Sequence, residues 1–254
     1  MDIEHAADAL WAALRRAEHM PVEWRGRLTM AQGYAVNLAI LRRRVAEGDA
    51  HAGWKVGLTS GAMRAQWGIP EPCFGVLLAS GHRPSGTRLA FDDLIAPGIE
   101  NELCATMGET LHGPGVTPAR ARAAIATLAP ALEIVEVRGG FSADLPLAMA
   151  DNAQQKAFVT GEPVRPEAGF ALAATTVEVR FGDTLRDRAA GAEVMGGPEH
   201  SVAWLANKLA EFGLALEAGQ RVMSGSFTKQ YRVARGDTVV STFTPFGEVR
   251  AAFD

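Results

Sequence analysis

The chain has 254 residues, of which 48% are hydrophobic and 21% charged, and its formal net charge is −4. That length suits one large domain, or a small domain beside a larger one. The acidic balance and scattered basic residues exclude a nucleic-acid footprint, and no apolar run approaches the ~20 residues that cross a bilayer.

The N-terminal stretch MDIEHAADALWAALRRAEHMP carries acids near its start and lacks a signal-peptide layout. It reads as an amphipathic helix over 3–18, with Ala7, Leu10, Trp11 and Leu14 on one face. A second helix begins at Thr29, which forms a capping-box spacing with Gln32, and it ends before Gly48. Ala35, Leu38, Ile40 and Leu41 supply its apolar positions, and Arg42, Arg43 and Arg44 lie on its solvated side. From about residue 53 the pattern turns to short strands separated by glycine and proline: WKVGL, FGVLL, IENELCATM, ALEIVEV, TTVEVRF, RVMSGSF and VVSTF. VEVRFGDTLRDR reads as a hairpin turning at Gly182-Asp183. Two helices interrupt the strands. One has Thr117 as N-cap and Pro118 in its first turn and stops before Pro130. The other runs from Pro198 to Phe212, with Val202, Leu205, Leu209 and Phe212 as its stripe and Gly213 as its stop. Strands outnumber helices and do not alternate with them, which predicts an α+β fold rather than a doubly wound sheet. Two regions are expected: a helical region over 1–52 and a catalytic mixed-β unit over 53–254, together one compact body. Cys73 and Cys104 are the only cysteines, which suits a reducing cytoplasm.

The chemistry concentrates in PGIENELC. Glu100 and Glu102 are two apart on a strand and so share a face. The pair reads either as a solvated face or as part of a cation site. Glu133, in PALEIVEVR, sits among Leu132, Ile134 and Val135, and a buried lone carboxylate must be paired, protonated or metal-bound. Three converging carboxylates suit a hard octahedral cation, Mg²⁺ or Mn²⁺. Lys55, in GWKVGLTS, reads either as a snorkelling edge-strand lysine or as a buried cation that meets a carboxylate or an enolate. SGSFT, with Ser226 and Thr228, reads either as a carboxylate cradle or as a strand bend. There is no G-x-S-x-G elbow, Walker loop or H-E-x-x-H, and the six histidines have no metal-ligand spacing. Cys73 lacks an identifiable partner histidine and reads as a buried or lining thiol.

In order, GWKVGLTS, FGVLL, IENELC, PALEIVEVR, ADNA, SVAWLANKLAEFG and MSGSFT resemble the 2-keto-4-pentenoate hydratase and 4-oxalocrotonate decarboxylase group of the fumarylacetoacetate hydrolase superfamily. The resemblance covers roughly residues 30–253. It implies a mixed β-roll core with an N-terminal helical layer and flanking helices. It also implies a homo-oligomer, one that associates with a pathway partner enzyme, and a divalent-metal lyase acting on small 2-oxo acids. It carries the metal ligands onto Glu100, Glu102 and Glu133 and the active-site lysine onto Lys55. Leu58, Thr59, Cys73, Gln154, Ser226 and Thr228 fall at substrate-binding positions. The activity implied is hydration of a 2-hydroxy-2,4-dienoate or 2-oxo-4-enoate. Decarboxylation, acylpyruvate C–C hydrolysis and a non-catalytic carboxylate-binding paralogue are the alternatives. The chain departs from the group where Pro72-Cys73-Phe74-Gly75 replaces Pro-Asp-Phe-Gly. It departs again where Gln154, Gln155 and Lys156 follow Asp151-Asn152-Ala153 in place of small residues, and where Gly197 replaces His or Asn.

Overall fold

A computed structural model describes residues 2–61, 64–65, 69–139, 141 and 143–254. Helices α1 (Ile3–Arg15) and α2 (Met30–Ala46) come first. Asp2 caps α1 by accepting from the Glu4 N–H, and Thr29 and Gln32 form the expected capping box on α2. The first helix ends three residues short of the expected 18, with Arg16 as its cap. Ala6, Ala7 and Leu10 of α1 bury against Val36, Ala39 and Ile40 of α2, together with Trp24 and Leu147.

Thirteen strands follow among the described residues: β1 (His51–Gly57), β2 (Cys73–Leu78), β3 (His82–Pro84), β4 (Thr87–Leu89), β5 (Pro97–Met107), β6 (Ile125–Glu136), β7 (Gln155–Thr160), β8 (Thr176–Phe181), β9 (Thr184–Ala190), β10 (Arg221–Met223), β11 (Tyr231–Arg232), β12 (Thr238–Thr244) and β13 (Gly247–Phe253). Helices α3 (Pro118–Ala124), α4 (Leu145–Ala150) and α5 (Pro198–Ala210) flank them. One sheet runs β2-β1-β10-β5-β6-β7-β3, with β11 also on β5, and the other runs β4-β13-β12-β8-β9. Three pairings, β1–β10, β3–β7 and β4–β13, are parallel and the rest antiparallel. Apolar side chains of both sheets and of α5 share one core, which includes Trp54, Phe74, Leu103, Leu132, Val202, Phe243 and Phe253. The architecture is thus α+β, with mixed sheets, a helical N-terminal layer and flanking helices.

Three further expectations differ from the structure, and several elements were not expected. The helix capped by Thr117 ends at Ala124, and the chain passes straight into β6, which runs through Pro130. Pro130 is tolerated because its carbonyl accepts from the Gly161 N–H, away from β5. Its missing N–H faces the same way, so no bond to β5 is lost. The last helix ends at Ala210 rather than Phe212. RVMSGSF is a strand only through Met223, and the backbone then bends while staying beside β5, with Ser224 N–H donating to the Leu103 carbonyl and Phe227 N–H to that of Asn101. Strands β3, β4, β7, β11 and β13 and helix α4 were not expected: β3, β4 and β11 are two or three residues long, β7 and β13 lie in QKAFVT and GEVRAAF, and α4 is only six residues long.

Candidate metal centre and substrate cavity

The site grows out of the β5–β6 register. Glu100 pairs directly with Glu133 across the two strands, and Glu102 lies two residues along β5 on the same face. The three side chains each place an oxygen within 4.8 Å of the others. Glu102 and Glu133 are fully buried and Glu100 is half-buried. A solvated face is therefore excluded, because like carboxylates this close and this dry cannot all stay ionised without a cation.

Lys55 supplies part of that cation. It stands on β1, and its ammonium lies 3.2 Å from Glu133 Oε1 with both side chains buried. The snorkelling reading fails for the same reason. Burial opposes the charge on Lys55, but Glu133 and the other carboxylates outweigh it and hold the group above the ordinary lysine value. Its direct partner on β2 is Gly75, where an added Cβ would sit 3.2 Å from Lys55 Cε and 2.8 Å from the Asn152 carbonyl oxygen, so the missing side chain makes room for the lysine.

One cation does not balance three acids. Burial, then the neighbouring Glu133, pushes Glu100 up to about 7, with Lys55 opposing. Glu102 is raised well above the carboxylate range, first by burial and then by its two acidic neighbours. Glu102 Oε2 accepts from the Gly225 N–H at 2.8 Å. Among the described residues, Glu102 Oε1 and Glu133 Oε2 have no hydrogen-bond donor, and Glu133 Oε1 has only the Lys55 ammonium at 3.2 Å. Buried acceptors without donors are rare and need a partner. Three all-oxygen ligands with spare lone pairs fit a hard divalent cation with water filling its other positions. Gly225 fits this function closely. Its φ is +102°, and an added Cβ would fall 2.3 Å from Thr59 Cγ2, so glycine alone turns the N–H toward Glu102 at this close approach.

A cavity of about 290 Å³ opens beside these groups. Lys55, Glu100, Leu58, Thr59, Gln154, Ser226 and Thr228 line it together, with Val135, Phe141 and Ala153 as an apolar wall. The Ser226 hydroxyl accepts from the Asn101 N–H, which leaves its proton for the cavity. Thr228 Oγ1 accepts from Asn101 Nδ2 and donates to the Lys229 carbonyl. Gln154 donates from Nε2 to the Gly139 carbonyl, which leaves its Oε1 as a further acceptor. Cys73 is not in the lining. It lies behind Gly57, where an added Cβ would meet Cys73 Sγ at 3.0 Å and Lys55 Nζ at 3.3 Å. Burial pushes its thiol up to about 11, so it is neutral near pH 7. Sequence reasoning missed Asn101. It is buried on the opposite face of β5, where Ser241 Oγ donates to its Oδ1, and it anchors the loop that carries Ser226 and Thr228. A buried Asn between two glutamates was the available signal.

Residues 50–254 match the family described as Fumarylacetoacetate (FAA) hydrolase C-terminal. The chain belongs to the fumarylacetoacetate hydrolase family. It is 36% identical, over 89% of its length and 86% of the relative's, to a 4-oxalocrotonate decarboxylase of Pseudomonas sp. (strain CF600). It is 32% identical, over 92% of its length and 91% of the relative's, to a 2-hydroxyhexa-2,4-dienoate hydratase of Comamonas testosteroni. Its fold superposes with a TM-score of 0.94 on the 4-oxalocrotonate decarboxylase from Pseudomonas putida G7 complexed with magnesium and adipate, at 33% identity and covering 99% of this chain and 97% of that one. No helix among the described residues is long and apolar enough to cross a membrane.

Proposed function

We propose that this family member is a divalent-metal-dependent lyase that hydrates a 2-hydroxy-2,4-dienoate, or its 2-oxo-4-enoate tautomer, to a 4-hydroxy-2-oxo acid. One observation carries this reading: three carboxylates, two of them fully buried with oxygens that lack a hydrogen-bond donor, converge beside a buried lysine at the wall of a small cavity. Glu100, Glu102 and Glu133 are the residues that would hold the ion. Mg²⁺ or Mn²⁺ is the expected species from the oxygen-only donor set. The bound cation supplies Lewis-acid stabilisation of negative charge on the substrate's 2-oxygen.

The chain's own residues do the rest. Lys55, held protonated by Glu133, sets a second positive charge beside that oxygen and is the catalytic residue. Ser226 donates its hydroxyl proton to the substrate carboxylate. Leu58, Val135, Phe141 and Ala153 pack the hydrocarbon chain and exclude bulk water. Gln154 and Thr59 orient the distal end. The dienol takes a proton at C5 to become a 2-oxo-3-enoate. Water then adds across C3=C4, with its hydroxyl on C4 and its proton on C3. Residues 53–254 form the catalytic unit and 1–52 its helical cover. The enzyme works in the cytoplasm as a homo-oligomer, beside a pathway partner enzyme.

A specific observation favours a second reading, loss of CO₂ from a 2-oxo-enedioate. Water addition asks for a side chain that moves protons to and from water near Lys55. The residue there is Cys73, a buried neutral thiol. Loss of CO₂ leaves an enolate and asks only for charge stabilisation. Purified enzyme stripped of metal and then given Mg²⁺ or Mn²⁺ separates the two. With 2-hydroxypenta-2,4-dienoate the product gains one water by mass. With 2-oxohexenedioate a decarboxylase product loses one CO₂. No metal-dependent change in either substrate refutes both readings.

A further inference from the structure

A second cavity, of about 600 Å³, lies on the opposite face of the main sheet from the carboxylate cluster, between α2, the ends of β2 and β6, and the β3–β4 segment. Five cationic side chains line it (Arg44, Arg83, Arg88, Arg138 and Lys156) against three acids (Asp93, Glu136 and Asp151), an excess of 5 − 3 = +2. Much of this charge is already paired. Lys156 meets Glu136 at 3.0 Å, and Arg88 forks onto Asp254. Among the described residues Arg83 has no carboxylate partner, and it donates to the Ser80 and His82 carbonyls. Arg44 comes no nearer than 3.9 Å to Asp49 and lies over the Trp11 ring.

The deep end of the cavity is short of acceptors. Arg138 is buried and uses its Nε on both oxygens of Asp151, but its Nη2 is buried with no partner among the described residues. Gln155 Nε2, in the same wall, is also buried and has no partner among the described residues. Buried donors of this kind demand acceptors, and a guanidinium demands anionic ones. Ile40, Leu41, Val76, Leu78 and Ile134 supply an apolar floor that an inorganic ion would not use. We infer that this cavity is a second ligand site, selective for a small organic dianion of the dicarboxylate class. One carboxylate meets Arg138 and Gln155, the chain lies on the apolar floor, and the other carboxylate meets Arg44 and Arg83. Gln154 lines both cavities, within a turn where Asn152, Ala153 and Gln154 all have positive φ, of 58°, 49° and 65°. The new site thus borders the first through that turn. Its existence does not depend on the proposed reaction.

The test is equilibrium dialysis of labelled glutarate against the full chain in Mg²⁺ with excess pyruvate, a monoanion, to occupy the first cavity. Saturable binding of one glutarate per chain is expected. An Arg44→Ala/Arg83→Ala double variant, altered only at solvent-accessible positions, should bind at least about tenfold more weakly and keep its metal-dependent turnover. Glutarate that binds the double variant as tightly as the wild type, or does not bind at all, overturns the site. Phosphate that competes as tightly as glutarate reduces it to a patch of charge and overturns the organic assignment. Loss of assembly in the double variant without glutarate binding in the wild type makes the cavity a contact between copies of the chain, which also overturns it.

Discussion

Replacing Lys55 by methionine removes one charge from the site and little volume. With all three carboxylates ionised the cluster carries −3 + 1 = −2, and a divalent ion brings it to zero. In Lys55→Met the metal-free cluster carries −3. Breaking a buried pair by removing one partner costs about 3–5 kcal/mol. For a chain of this length each kcal/mol moves the melting temperature by about 2–4 °C, so the metal-free variant should melt roughly 6–20 °C lower. The lower end is expected, because Glu100, already pushed up to about 7 by burial and by Glu133, relieves the repulsion by taking a proton. Mg²⁺ should then stabilise the variant more than the wild type, since the dication meets a more negative site. Turnover should fall by about 10²–10³, the usual cost of losing one preorganised electrostatic group. Differential scanning fluorimetry with and without Mg²⁺, paired with a turnover assay, reads all three effects. An unchanged metal-free melting temperature together with unchanged kcat would refute the coupling of Lys55 to the carboxylates.

Glu133→Ala should lose both the Mg²⁺-induced thermal shift and metal-dependent turnover; a folded variant that retains either one does not use Glu133 as a ligand. Gly225→Ala should cost about 1–3 kcal/mol of strain at φ +102° and pull the N–H away from Glu102, so its metal affinity by isothermal titration should weaken, and an unchanged affinity removes Gly225 from the site. Asp151 is pushed up to about 6, first by burial and against the pull of Arg138. Its folded value lies above its unfolded value, so the stability it contributes is fully present below about pH 4. That stability is lost as pH rises through about 6. The difference in unfolding free energy between wild type and Asp151→Asn should therefore shrink from pH 4 to pH 6 and then level off; a flat difference, measured by urea denaturation at each pH, denies the shift.

The carboxylate cluster was legible because strand alternation fixes relative facing without any knowledge of the fold. Glu100 and Glu102 had to share a face, and Glu133 had to be buried among Leu132, Ile134 and Val135. Their meeting was a matter of register: Glu100 opposes Glu133, and a shift by one residue would have turned Glu133 to the other side. No local signal encodes that register. The caps were legible for the same local reason, and Thr29 and Gln32 behave as their spacing predicts. Pro130 misled because proline stops a helix from within but only restricts which edge of a strand may pair. The bend at Gly225 was invisible, since what requires glycine there is the approach of Thr59, 166 positions earlier in the chain.

Three structural facts bear on which reaction the site performs, and two of them suit either one. Glu100, Glu102, Glu133 and Lys55 form one electrostatic unit, and the work proposed for it with a bound cation, holding negative charge on an oxygen, is common to hydration and to loss of CO₂. The apolar wall of Leu58, Val135, Phe141 and Ala153 suits the unsaturated chain of either substrate. Only the group behind Gly57 separates them. A carboxyl group there could relay a proton between water and the substrate carbon, but the Cys73 thiol stays neutral to about pH 11 and cannot. Hydration by this chain therefore needs its proton relay elsewhere on the cavity wall, and the Thr59 hydroxyl and the Gln154 amide are the groups in place to order a water. A hydroxyl or an amide orders water without changing its own charge, so hydration here would draw its rate mainly from the charge held by Lys55 and the carboxylate-bound ion. The electrostatic unit thus limits either reaction more than any acid or base does, and for that reason Lys55 is the most informative residue to perturb.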